Sequence, residues 1–151
     1  MTKKRELILR LGVAVYGLCI ICFCFTPQPQ LPTGVETPGI QTFGRLVFLL
    51  TPLNSLWNLG EVTSLGQVIW IFLQNILNFF LLFPLVFQLI YLCPNLRQTK
   101  KIILLSFLLS LGIECTQLVL DFLFDFNRVF EIDDLWTNTL GGYLAWLLYK
   151  G

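Results

Sequence analysis

The chain alternates between long apolar runs and shorter polar connections over most of its 151 residues. A helix that crosses the bilayer needs about 20 predominantly apolar residues. By this rule the sequence predicts four transmembrane helices, at about residues 7–26, 67–92, 102–124 and 133–149. The fourth run is short, so its first turn is expected in the membrane interface. The pattern predicts an all-α membrane protein.

Composition supports this class. The chain is 56% hydrophobic and 13% charged, whereas soluble domains are roughly 45–50% apolar and about 25% charged. We therefore expect a multi-pass protein of the cell membrane, with residues 1–151 forming one domain. The first apolar run lacks a small-residue cleavage site, so it is interpreted as an uncleaved helix rather than a signal peptide. No phosphate-binding or dinucleotide-binding glycine motif is present, and no cofactor or nucleic-acid partner is expected.

The basic residues predict the orientation. Two of the ten, Arg45 and Arg128, fall in the connections after the first and third runs. Positive charge accumulates on the cytoplasmic side of membrane proteins, which places both termini in the cytoplasm. The other eight lie around the start of the first run, between the second and third runs, and after the fourth: Lys3, Lys4, Arg5, Arg10, Arg97, Lys100, Lys101 and Lys150.

The long outer loop, residues 27–66, begins with prolines and contains a short apolar patch, Leu46–Leu50. This patch is too short to span a bilayer. We expect it to lie in the outer headgroup layer as an interfacial helix. The alternative is that the segment folds over the mouth of the bundle as a lid.

Glu114 lies near the centre of the third apolar run. An ionisable residue at that depth costs at least about 2.5 kcal/mol on insertion scales, and such residues usually face a protein interior and serve a function. Glu114 is therefore the first candidate for a functional residue.

Other polar residues are expected to converge on it. In the third run Gln117 and Asp121 share its helix face, and in the fourth a stripe of Asp134, Asn138, Gly141 and Ala145 places polar groups beside small residues. Small residues let neighbouring helices approach closely. The second run contributes Asn78, and Pro84 should kink that helix and free carbonyl groups. We predict that these stripes turn inward and form a polar pocket open to the outer face.

Arg128 is the cation nearest to this pocket in sequence. It is expected to pair with Glu114 or, more easily, with Asp121, Asp125 or Asp134. Simpler interpretations exist for individual residues: the amides could merely join helices, at about 0.6 kcal/mol each, and Asp133 could act as a helix cap. We expect a metal-free site, the alternative being oxygen ligation of Mg²⁺ or Ca²⁺ by Glu114, Asp121 and Asp134.

Three motifs in order resemble the VanZ-like family of small bacterial membrane proteins, over about residues 74–151. The first is Asn78-Phe-Phe-Leu-Leu-Phe-Pro84. The second is Ser110-x-x-x-Glu114-x-x-Gln117. The third runs from Arg128 through Asp134 and Asn138 to Gly141. The sequence departs from the family pattern at three positions: Val86, Ala145 and Asn127.

The family's namesake is associated with low-level resistance to the glycopeptide teicoplanin, which acts at the outer face of the membrane. A pocket that opens outward is compatible with such a role. The preferred hypothesis is that the pocket binds an envelope lipid or glycopeptide-like ligand. The expected ligand-binding residues are Asn78, Glu114, Gln117, Arg128, Asp134 and Asn138.

Two other functions stay open. An intramembrane enzyme acting on a lipid-linked substrate would use Glu114 and Asp134 as acid and base and Arg128 as a clamp for a phosphate or carboxylate. A proton-coupled carrier with four spans would need a homo-oligomer. Membrane lipid is a partner under every hypothesis.

Overall fold

The computed structural model describes residues 2–28, 39–57 and 65–151, and this part of the chain is mostly helical. Three helical stretches are long and apolar enough to cross a membrane: Lys3–Cys24, Phe72–Leu92 and Thr99–Phe124. The elements in chain order are α1 (Lys3–Cys24), β1 (Gln41–Phe43), β2 (Leu46–Leu49), α2 (Asn54–Trp57), α3 (Leu65–Leu81), α4 (Phe83–Leu92), a 3-10 turn (Pro94–Leu96), α5 (Thr99–Phe124), β3 (Phe130–Glu131) and α6 (Ile132–Lys150). The predominantly helical membrane architecture agrees with the sequence prediction.

Helix α6 lies among the other helices. It packs against α3, α4 and α5, while α1 packs against α4. Asn138, Gly141 and Ala145 are buried within α6, and apolar side chains such as Leu104 and Leu108 of α5 are exposed on the outside. A helix shielded by its neighbours needs less apolar surface than one facing lipid. This explains why α6 is not one of the three stretches that are apolar enough to cross a membrane by composition. The fourth span at 133–149 therefore stays a prediction.

The helices alternate in direction. The ring of Tyr149, near the end of α6, lies 5.0 Å from the ring of Tyr91 in α4, measured between centroids. The indole N–H of Trp146 donates to Thr99 Oγ1, at the start of α5, over 3.1 Å. The end of the bundle that holds Arg5, Arg97 and Lys150 is called the basic end below. The opposite end, which holds Asp121, Asp125, Glu131 and Asp133, is called the acidic end.

A break at Leu82 separates α3 from α4. Pro84 causes it, because its ring clashes with the carbonyl one turn earlier and it donates no N–H. Beside this break, the carbonyl of Leu81 accepts a hydrogen bond from the Tyr16 hydroxyl of α1, over 3.0 Å. Gly141 of α6 lies so close to the Phe79 carbonyl that an added Cβ would collide with it. The predicted kink and the predicted close approach at small residues are both confirmed.

The prediction of an interfacial helix at Leu46–Leu50 is wrong. Leu46–Leu49 forms strand β2, which pairs antiparallel with β1 across a turn where Gly44 has a φ of +63°. Strand β2 also pairs parallel with β3, with Leu49 opposite Glu131. The patch forms a strand because an extended partner, β3, is available at the start of α6. This arrangement is closer to the lid alternative, although residues 29–38 and 58–64 of the predicted loop lie outside the described residues.

Candidate functional site

The centre of the site is a pair of carboxyl groups from two helices. The side chain of Glu114 on α5 lies within hydrogen-bonding reach of that of Asp134, in the first turn of α6. Glu114 is only 1% exposed, and its Oε2 also accepts the backbone N–H of Glu131 over 3.2 Å. A carboxylate only accepts hydrogen bonds, so a bond between two carboxyl groups requires that one of them is protonated. The two groups can therefore share a hydrogen bond between α5 and α6 in the state in which one of them carries a proton.

Neutral polar side chains extend this pair into a network. Asn78 of α3 donates from Nδ2 to Asp134 Oδ1 over 2.5 Å. Ser110 of α5 donates to the Asp134 carbonyl over 3.0 Å, and its Oγ accepts from Asn138 Nδ2 over 3.0 Å. The name carboxyl network below refers to Asn78, Ser110, Glu114, Glu131, Asp134 and Asn138.

Two buried oxygen atoms beside this network have no hydrogen-bond partner within the described part of the chain: Asn138 Oδ1 and Ser106 Oγ. Asn138 is 1% exposed and Ser106 is fully buried. Buried polar atoms without a partner are rare in folded proteins and call for an explanation. They leave hydrogen-bonding capacity in the bundle interior that the protein itself does not use.

Glu131 adds a third carboxyl group at the acidic end, just before α6. Burial, followed by the negative charges of Asp134 and Asp133, raises the pKa of Glu131 from its usual value of 4.5 to about 8. The strand pairing between β2 and β3 fixes this residue beside the start of α6. Around neutral pH this acid is therefore substantially protonated.

Arg128 does not form the ion pair expected from the sequence. Its guanidinium donates to the carbonyls of Phe23 and Thr26, over 2.9 Å and 2.7 Å, at the end of α1. A cation there is stabilised by the negative end of the helix dipole. Burial of the guanidinium lowers the pKa of Arg128.

Two other predicted residues also secure α1. Gln117 Nε2 donates to the carbonyl of Cys24 over 2.9 Å, and the Asp121 carboxylate accepts the backbone N–H of Arg128 over 3.0 Å. No group of three acids, cysteines or histidines among the described residues is arranged to hold a metal ion. The alternative of a cation site formed by Glu114, Asp121 and Asp134 is therefore not supported, because Asp121 faces Arg128.

Asp133 connects the segment after β2 to α6. Its Oδ1 accepts the backbone N–H of Leu53 and the indole N–H of Trp136, both over 2.9 Å. Leu53 has a φ of +57°, a conformation that is unfavourable for a leucine. The cap interpretation of Asp133 is incomplete: the residue lies in the first turn of α6, but its carboxylate holds residues from the segment after β2.

The structure thus brings Asn78, Glu114, Asp134 and Asn138 together and directs Gln117 and Arg128 to α1. Sequence reasoning missed Ser110 and Glu131 as members of the network. The sequence does contain a signal for Ser110. The polar face of α5 continues for two further turns towards its start, through the spacing Ser106, Ser110, Glu114, Gln117 and Asp121. Glu131 had no such signal, since strand pairing with a distant segment determines its position.

Three helical stretches apolar enough to cross a membrane, packed around a helix with buried polar residues, are typical of a small helical membrane protein. The sequence model of the family described as VanZ/LLP1 matches residues 13–151, so the chain belongs to the VanZ/LLP1 family. The match extends beyond residues 74–151, where the motifs lie, to nearly the whole chain. No curated protein and no solved structure is found to match the chain.

Proposed function

We propose that this VanZ/LLP1-family protein is a four-span protein of the cell membrane that binds a polar envelope ligand at its carboxyl network. The ligand class is an envelope lipid or a glycopeptide-like molecule, and binding contributes to resistance of the teicoplanin type. Asn78, Glu114, Asp134 and Asn138 contact the ligand. Gln117 and Arg128 keep the end of α1 in place beside it.

The distribution of charge supports the orientation in this proposal. The basic end carries eight of the ten lysines and arginines, and this bias favours a cytoplasmic location for that end. The acidic end then faces the outside of the cell. The carboxyl network lies towards this acidic end, next to the sheet β1–β3, and in the proposed orientation a ligand would approach it from the outer leaflet.

The observation that carries the proposal is the convergence of Glu114, Asp134 and Asn138 in the bundle interior, with Asn138 Oδ1 lacking a partner among the described residues. Oxygen atoms dominate this set, so it suits a ligand rich in hydroxyl, amide or amine donors, which are abundant in glycolipids and glycopeptides. Most buried acceptors in folded proteins are hydrogen-bonded, so a purely structural network is expected to leave few of them unused. The unused acceptor therefore favours a binding role over simple helix joining.

The test compares Glu114→Gln with wild type in reconstituted vesicles and in cells. The amide keeps the shape and can occupy both hydrogen bonds, but it removes the ionisable group. We expect loss of binding of a fluorescent teicoplanin derivative to the vesicles, and loss of teicoplanin tolerance in cells. Asp125→Asn is the matched control, because Asp125 is an exposed acid at the same end. Equal binding by wild type and Glu114→Gln would contradict the proposal.

The same carboxyl pair favours one second candidate, an acid–base enzyme that acts on a lipid-linked substrate. Two coupled acids that share a proton are suited to donate and accept protons in turn. In that case vesicles with wild-type protein would accumulate a modified lipid that is absent with Glu114→Gln. Unchanged lipid masses together with saturable ligand binding would favour the binding role.

A further inference from the structure

A cleft of about 510 Å³ lies at the basic end, between α1 and α4, remote from the carboxyl network. It is lined by Arg5, Ile8, Leu9, Phe87, Tyr91 and Arg97. The two arginines stand on either side of the cleft, one from the start of α1 and the other from the turn after α4. The remaining walls are aliphatic and aromatic.

Neither arginine is neutralised within the described part of the chain. The carboxylate of Glu6, the acid next to Arg5, forms a salt bridge with the guanidinium of Arg10, with an N···O distance of 2.6 Å. Arg97 donates from Nε to the Ile90 carbonyl over 3.2 Å, and its guanidinium lies 5.4 Å from the centre of the Tyr149 ring. These contacts hold the guanidinium in place and leave further N–H groups of the fork for an anion.

The apolar walls point to the kind of anion. Ile8 is 58% exposed and Tyr91 is 40% exposed, so the cleft opens on the lateral surface of the bundle. Leu9 and Phe87 lie one helical turn further from the ends than Arg5 and Tyr91, respectively. The cleft therefore changes from cationic to apolar with increasing depth, in the same order as the headgroup and acyl chains of a lipid.

We propose that this cleft is a binding site for an anionic phospholipid of the inner leaflet. The guanidinium groups of Arg5 and Arg97 hold the phosphate, and an acyl chain lies along Ile8, Leu9 and Phe87. Basic pockets between membrane helices are suited to such headgroups, and each arginine near an anionic surface contributes about 1 kcal/mol, or about a fivefold change in affinity. The site is independent of the proposed ligand at the carboxyl network.

The test measures how many lipids stay bound to the purified protein, by native mass spectrometry, during titration with phosphatidylglycerol or phosphatidylcholine. We expect wild type to retain one phosphatidylglycerol and no phosphatidylcholine. Arg5→Gln should weaken retention about fivefold, and Arg5→Gln with Arg97→Gln about 25-fold, by the same energetic contribution per arginine. The control, Lys4→Gln with Lys100→Gln, removes the same charge at the same end but outside the cleft, and should bind like wild type.

A variant without charge change separates the cleft from general attraction to anionic lipid. Ile8→Trp narrows the apolar part of the cleft and should abolish the retention of phosphatidylglycerol. If the variant with Arg97→Gln fails to fold, Ile8→Trp and Arg5→Gln together test the proposal. Unchanged retention in Arg5→Gln or Ile8→Trp would overturn the proposal, as would an equal loss in the lysine control. Displacement by millimolar inorganic phosphate would show a site for free anions and would also overturn it.

Discussion

The carboxyl groups of Glu114 and Asp134 lie within hydrogen-bonding reach of each other across the contact between α5 and α6. One group lies near the middle of an apolar helix, and the other lies in the first turn of the central helix. Two acids can be buried side by side when one of them carries a proton, because two ionised carboxylates would repel each other. The pair is therefore part of the packing of the bundle as well as the proposed site.

This dual role predicts different effects for two substitutions of Glu114. Glu114→Gln can still donate to Asp134 and accept from the Glu131 N–H, so its free energy of unfolding should stay within about 1 kcal/mol of wild type. Glu114→Leu leaves both partners unsatisfied and should cost about 1–3 kcal/mol. Thermal unfolding in detergent micelles measures the difference. Equal stability of the two variants would argue against the hydrogen-bonded pair.

Two serines one turn apart on α5 should respond in opposite ways. Ser110 joins Asp134 to Asn138, so Ser110→Ala should destabilise the protein by about 1–3 kcal/mol. Ser106 Oγ is buried without a partner, so Ser106→Ala should be neutral or stabilising. The same unfolding assay compares them. A large loss in Ser106→Ala would mean that its hydroxyl has a partner in the membrane, such as a bound water.

Close packing at Gly141 predicts a steric effect. In Gly141→Ala the new methyl group would collide with the Phe79 carbonyl, and overpacking of this kind costs about 1–3 kcal/mol. Gly112→Ala is the matched control, because an added Cβ at Gly112 on α5 meets nothing within 4 Å. It should be neutral or stabilising, since alanine is the better helix former. Similar melting temperatures for the two variants would contradict the contact between α3 and α6.

The position of Arg128 predicts a local structural role. Arg128→Gln removes the cation that holds the last carbonyls of α1, so we expect a loss of about 1 kcal/mol and faster amide hydrogen exchange around residues 21–26. Arg45→Gln is the control, since Arg45 makes a single long contact of 3.5 Å with the Phe122 carbonyl. Unchanged exchange in Arg128→Gln, with loss of ligand binding, would support the clamp that the sequence predicted.

The raised pKa of Glu131, about 8 against a usual value of 4.5, predicts a dependence of stability on pH. The folded state binds the proton more tightly than the unfolded state, so this contribution to stability is complete below about pH 4.5. It is lost as pH rises towards about 8 and is constant above that value. The melting temperature should therefore fall between pH 5 and pH 8, roughly the window those pKa values define. In Glu131→Gln the melting temperature should depend less on pH. An unchanged pH dependence would mean that another titratable group causes it.

The sequence by itself determined the membrane class, the helical segments and the main polar residues. Apolar runs long enough to cross a bilayer leave few alternatives to helices, because every backbone polar group in lipid must be paired internally. The break at Leu82 was predictable from Pro84, since proline acts on its own helix. Glu114 was predictable as a buried residue because lipid exposure of a charged group is costly.

Only the tertiary structure decided the partners. Arg128 lies beside several acids in sequence, yet it binds the carbonyls of α1, because the end of a distant helix lies within reach. The patch Leu46–Leu49 has the composition of an interfacial helix but forms a strand, because β3 offers an extended edge. Glu131 enters the carboxyl network through that pairing. Contacts between segments far apart in the chain depend on how the helices pack, and no local pattern in the sequence specifies that packing.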